Sequence, residues 1–91
     1  MNKVDIEVAA NFWQRARGLI GRPKPAKGKG LLIPHCNAIH TMFMSYPIDA
    51  TFLDGKGEVV RRVRNIRPWR FFVWGTWRAR QVIETASGDS E

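Results

Sequence analysis

His35, Cys36, His40 and Asp49 carry the donor atoms that zinc accepts, and all four fall within fifteen positions of one another. Their spacing matches no standard finger, and Pro34 and Pro47 fix much of the backbone between them. Unconnected polar residues are the expectation, with no metal and no cofactor. Cys36 beside His35 also has the composition of a nucleophile and its base. Adjacent strand residues point to opposite faces, however, and a catalytic thiol needs a lowered pKa and an oriented base. A small half-buried cysteine is expected instead. No catalytic residue is assigned, and the chain reads more as a binding protein than as an enzyme.

The other chemistry-bearing group is larger. Arg61, Arg62, Arg64, Arg67 and Arg70 run into a stretch holding Trp69, Phe71, Phe72, Trp74 and Trp77. Interleaved cations and flat rings suit single-stranded nucleic acid, charge for the phosphates and rings for the bases. The same composition serves a β domain whose rings fill the core while its arginines face water. Phe71, Phe72 and Trp74 are expected in the core. Arg61, Arg62, Arg64, Arg67, Trp69, Arg70 and Trp77 are the expected surface for an anionic partner, nucleic acid or acidic protein. No RNA-recognition or cold-shock signature decides between these roles.

The net charge of +7 on 91 residues is unevenly spread. No acid stands between Val8 and Ile48, where Arg15, Arg17, Arg22, Lys24, Lys27 and Lys29 lie, and none between Arg61 and Arg80. Such a field concentrates anions near the surface, and it equally serves solubility alone. The single cysteine excludes an internal disulfide, and no apolar run resembles a signal peptide or approaches a membrane span. A cytoplasmic protein of one domain, residues 1–91, is the expectation.

The elements that position these groups are short. Val4, Ile6 and Val8 alternate with charged residues, the period of a half-buried strand. Asn11 is a helix N-cap, and Phe12, Ala16 and Leu19 predict one helix over residues 12–20, ended by Gly21 and Pro23. Leu31 to Ile33 form an apolar strand stopped by Pro34. Ile39 to Met44 read as extended or as a helical turn. Ile48, Ala50 and Phe52 resume the two-residue period, placing Asp49 in an apolar strand where a carboxylate needs a partner. Asp54-Gly55-Lys56-Gly57 is a hairpin turn. Val59 to Arg64 and Arg78 to Glu84 are further strands, and Ala86-Ser87-Gly88-Asp89 leaves the fold. The pattern predicts a mainly β, β-rich α+β domain: a small sandwich or partly open barrel of mostly antiparallel strands with one short N-terminal helix.

Three stretches carry a resemblance: Arg15-Ala16-Arg17-Gly18-Leu19-Ile20-Gly21-Arg22 with Gly30-Leu31-Leu32-Ile33, Ile39 through Asp54, and Val82-Ile83-Glu84 with Ala86-Ser87-Gly88. In this order the chain resembles the family known as domain of unknown function 192. The resemblance implies a compact β-rich sandwich or barrel with one helix, and no established reaction. It also implies a further helix and strand past Gly88, so that a shortened C-terminus leaves an edge open to self-association. Arg17 or Arg22 of its first motif is the expected partner of Asp49. A ligand-binding cluster of Arg17, Arg22, His40, Asp49 and Glu84 is expected at the mouth of the sheet. Its alternative is an internal salt bridge fixing the helix to the sheet. The resulting functional expectation is a non-enzymatic binding module with a basic face. The second reading is a small-molecule receptor or enzyme working at the Arg/Asp/His cluster.

Overall fold

The computed structural model describes residues 5–9 and 11–87. Val4, Gly88 and Asp89 of the expected elements lie outside the described residues. The elements are β1 (Asp5–Val8), α1 (Phe12–Arg17), β2 (Lys29–Pro34), β3 (Ala38–Ile39), β4 (Ile48–Leu53), β5 (Val59–Ile66), β6 (Val73–Trp74) and β7 (Gln81–Ala86). Five strands form one sheet in the order β1-β2-β7-β4-β5, and β3 pairs with β6 in a second, two-stranded sheet. Only β1 and β2 run parallel, joined through α1, while the other pairs are antiparallel. The β-rich fold with one short helix is as expected, in the form of an open mixed sheet under a smaller one rather than a closed barrel.

The helix is shorter than its apolar spacing predicts. Asn11 Oδ1 accepts the Gln14 N–H at 2.9 Å to start it. Gly18 stops it at φ +55°, a conformation that favours glycine, and its N–H returns to Gln14 O at 2.9 Å. The chain then turns across the sheet through Leu19 and Ile20.

Side chains facing the second layer are oily and tightly enclosed. Leu31 and Ile33 of β2, Ile48, Ala50 and Phe52 of β4, and Val82 of β7 are each at most 1% exposed. They meet Ile39 and Val73 from the small sheet, and Leu19 from the turn after α1. Burying a ring such as Phe52 stabilises the fold by roughly 2–3 kcal/mol. Gly75, just after β6, lies directly on that ring: a Cβ there would stand 2.1 Å from Phe52 Cδ1. Gly75 is therefore the residue that lets the small sheet close down on the large one, and its N–H donates to Asn37 O at 2.8 Å.

The segment expected to be extended from Ile39 to Met44 is a strand only as far as Ile39. Beyond it, Thr41 is fully buried and bonded to the turn that follows β5. Its hydroxyl donates to Arg67 O at 2.7 Å and accepts the Arg70 N–H at 2.9 Å. Its N–H donates to Arg70 O at 2.7 Å, and its carbonyl accepts the Trp69 N–H at 2.8 Å. These bonds replace a strand ladder and pin residues 67–70 over the sheet.

Candidate functional site

Register decides which of the expected cluster residues meet. In a sheet, directly opposed residues share a face. Glu84 stands opposite Leu31 and Ala50, on the face covered by α1 and the small sheet. Asp49 stands opposite Thr85, one position out of phase with Glu84, and so on the other face. The five-residue cluster is therefore divided.

Asp49, 1% exposed, serves the backbone. Between Ile48 and Ala50 the pairing with β5 shifts register, leaving Arg64 and Asn65 to bulge opposite Asp49. Asn65 adopts φ +54°, and its N–H donates to Asp49 Oδ1 at 2.7 Å. The side chain thus occupies the ladder site that the bulge vacates. Arg22 pairs elsewhere: its Nη2 lies 3.0 Å from Glu7 Oε2 at an exposed position, and that guanidinium holds the Glu7 carboxyl below the usual carboxylate range. Arg17 donates from Nε to Ile20 O at 2.8 Å, inside its own turn.

Glu84 behaves differently. It is 3% exposed, and the Leu19 N–H at 3.2 Å is the hydrogen bond its carboxyl receives among the described residues. Burial pushes its pKa up from the ordinary carboxyl value to about 7, and that single N–H only partly offsets the rise. Gly18 makes the approach possible, since a Cβ there would lie 2.8 Å from Glu84 Oε1. Over Glu84 opens a cleft of about 290 Å³, walled by α1 from Arg15 to Gly18, by Ile33 to Cys36, and by β3 running out to His40.

Of the expected cluster, Arg17, His40 and Glu84 meet at this cleft. His40 is exposed, and its Nδ1 accepts the Met42 N–H at 3.2 Å. Arg15, His35 and Cys36 also line it, although none of the three belonged to the expected cluster. Burial raises the Cys36 thiol and Glu84 adds to that rise, with Ala38 O, which the thiol meets at 2.9 Å, and Arg15 only partly offsetting it. The net rise opposes a nucleophilic thiolate. Among the described residues, no three His, Cys, Asp or Glu side chains converge as metal ligands, and no helix is long and apolar enough to cross a membrane.

The aromatic stretch corrects the sequence reading. Phe71, Phe72 and Trp74, expected inside, are 81%, 57% and 43% exposed. Val73 alone among them turns inward, because β6 is only two residues long and presents one side to the core. Trp69 and Trp77 are exposed as well, as are Arg61, Arg62, Arg64, Arg67 and Arg70. Phe43 packs edge-on against Trp69 with ring centres 4.9 Å apart.

An open mixed sheet, a single short helix, a small covering sheet and a buried acid beneath a cleft define a small β-rich domain of the kind the sequence resembles. The model of the DUF192 family, described as Uncharacterized ACR, matches residues 1–91, and the chain belongs to that family. A UPF0127 protein of Pyrococcus furiosus is 36% identical over 75 residues, covering 78% of this chain and 63% of the relative. The chain thus spans less than two thirds of that relative's length. Two crystal structures share the fold. A protein of unknown function from Novosphingobium aromaticivorans superposes with a TM-score of 0.80 at 19% identity, over 91% of this chain and 63% of its own. A Sinorhizobium meliloti protein, provisionally named a transcription regulator, superposes with a TM-score of 0.83 at 21% identity, over 92% and 69% of the two chains.

Proposed function

We propose that this domain is a non-enzymatic binding module that holds single-stranded nucleic acid on a strip of arginines and uncovered aromatic rings. The observation that carries this reading is the exposure of the rings. Trp69, Phe71, Phe72, Trp74 and Trp77 are 57%, 81%, 57%, 43% and 72% exposed within nine consecutive positions. Large apolar side chains left uncovered in such number support a binding role for this stretch.

The strip has a defined course. It leaves β5 at Ile66, is pinned at Thr41, crosses Phe52 through Gly75, and reaches Trp77 beside the Asp54–Glu58 turn. It thus follows the six residues of β4, a path of about 20 Å. Phe43, Trp69 and Thr76 are held at φ +66°, +72° and +100°, backbone that costs about 1 kcal/mol or more per residue. The hydrogen bonds of Thr41 help to maintain this arrangement.

Bases can stack on rings while Arg67, Arg70, Arg78 and Arg80 meet phosphates. An acidic peptide would satisfy the arginines but would leave most of the rings without a partner. The test is fluorescence anisotropy with a single-stranded oligonucleotide at two salt concentrations. Binding should weaken steeply with salt, and Phe71→Ala or Trp77→Ala should each cost roughly 1–3 kcal/mol of binding at unchanged melting temperature. Absence of binding at low salt, or ring variants that bind like the parent, would remove the proposal.

The reading as a receptor or enzyme at an Arg/Asp/His cluster loses its aspartate to the far face of the sheet. What remains of it is the cleft over Glu84.

A further inference from the structure

We infer that the cleft above Glu84 is a binding site for a small zwitterion, an amino acid whose ammonium group meets the Glu84 carboxylate and whose carboxylate meets Arg15. The inference is independent of the aromatic strip and rests on an imbalance inside the cleft. Glu84 is almost wholly buried, yet the Leu19 N–H is the one hydrogen bond it receives among the described residues. A buried carboxylate with so little compensation is costly unless a cation or another donor reaches it. The chain keeps Gly18 at positive φ where any side chain would collide with Glu84 Oε1, so the acid's surroundings stay narrow.

The rim supplies the opposite charge. Arg15, half-buried on α1, lines the cleft, and its guanidinium makes no hydrogen bond or ion pair among the described residues. Arg17 is less available because its Nε is held by Ile20 O. Ile33 and Ile39 supply apolar wall to the cleft. A cleft of about 290 Å³ suits a molecule of amino-acid size. A plain anion would meet Glu84 as a like charge, and a plain amine would leave Arg15 without a partner.

Protonation of Glu84 competes with an ammonium ligand. The charged and titratable groups that face or neighbour this acid are Arg15 and Arg17 from α1, His35 and Cys36 after β2, His40 after β3, and Tyr46. Binding should therefore be tighter at pH 8 than at pH 6. The test is a thermal-shift screen at pH 8 with each standard amino acid at about 10 mM, followed by calorimetry. Acetate and ethylamine serve as one-ended probes.

At least one amino acid should raise the melting temperature while neither one-ended probe does. Arg15→Gln should weaken that ligand about tenfold or more, and Glu84→Gln should abolish binding while keeping the parent far-ultraviolet spectrum. Trp69→Ala should bind the amino acid normally, which separates this site from the strip. The inference is overturned if no amino acid shifts the parent protein, if acetate alone does so, or if Glu84→Gln binds as well as the parent.

Discussion

Among the described residues two carboxylates are buried in this sheet, one position out of phase, and they do opposite things. Asp49 faces a bulge and accepts the Asn65 N–H at 2.7 Å. Glu84 faces a cleft and receives the Leu19 N–H at 3.2 Å. Both are at most 3% exposed, so burial does not distinguish them. What distinguishes them is the neighbour that register supplies: a gap in a hydrogen-bond ladder for one, an open volume for the other. A buried acid is structural where the backbone consumes it and available where it does not.

The comparison breaks most visibly in pH dependence. The folded-state pKa of Glu84 is raised from 4.5 to about 7, so between these values the native protein binds more protons than the unfolded chain. The associated stability is complete below pH 4.5 and is lost as pH rises through 7, a fall of about 3 kcal/mol. Glu84→Gln should remove this slope and stabilise the protein by up to that amount at pH 8, measured by urea unfolding across the pH range. A slope unchanged by the substitution would mean that Glu84 is not its source. Asp49→Ala should act in the other direction, costing about 2 kcal/mol by stranding the bulge N–H. Asp49→Asn, which keeps an acceptor oxygen, should cost less than half of that.

A substitution beside Glu84 sharpens the contrast. Gly18→Ala must place a methyl group at φ +55° and 2.8 Å from Glu84 Oε1. The backbone strain alone should cost about 1–2 kcal/mol. Because the carboxyl must also move, the midpoint of the pH-dependent stability change should shift, and the effect of Asp49→Ala should add independently of it. Unfolding curves of the single and double variants read both quantities. Coupling between Gly18 and Asp49 would show that the two faces of the sheet are not separate.

Much of the architecture was written in local patterns. The period-two run of Ile48, Ala50 and Phe52, the Asp54-Gly55-Lys56-Gly57 turn and the Asn11 cap each declare themselves within a few residues. The site was legible only in part. Glu84, His40 and Arg17 stood in the family motifs, but which face Asp49 takes relative to Glu84 depends on long-range register between β4 and β7. The bulge that occupies Asp49 forms opposite Asn65, a residue with no distinguishing local signal. Phe71, Phe72 and Trp74 misled for a related reason. Hydrophobicity argues for burial, but the core space over Phe52 is filled by Gly75 and Val73, which leaves no room for three more rings. Gly75 sits inside the aromatic run, and its missing side chain is what permits the layer to pack.

The smallest expected effect tests whether the family motif's second arginine belongs to either acid. Arg22 reaches Glu7, and the two side chains are 28% and 59% exposed. An ion pair so open to water and salt contributes little to stability. The position of residue 22 is set instead by its backbone: its N–H donates to Leu19 O at 3.1 Å, and its carbonyl accepts the Tyr46 hydroxyl at 3.3 Å. Both bonds survive truncation of the side chain. Arg22→Ala should therefore leave the urea midpoint unchanged at pH 7, and the pH slope due to Glu84 should persist in full. A loss of that slope in the variant would tie Arg22 to the cleft, whereas a large drop in midpoint without it would assign the guanidinium an anchoring role between β1 and the turn after α1.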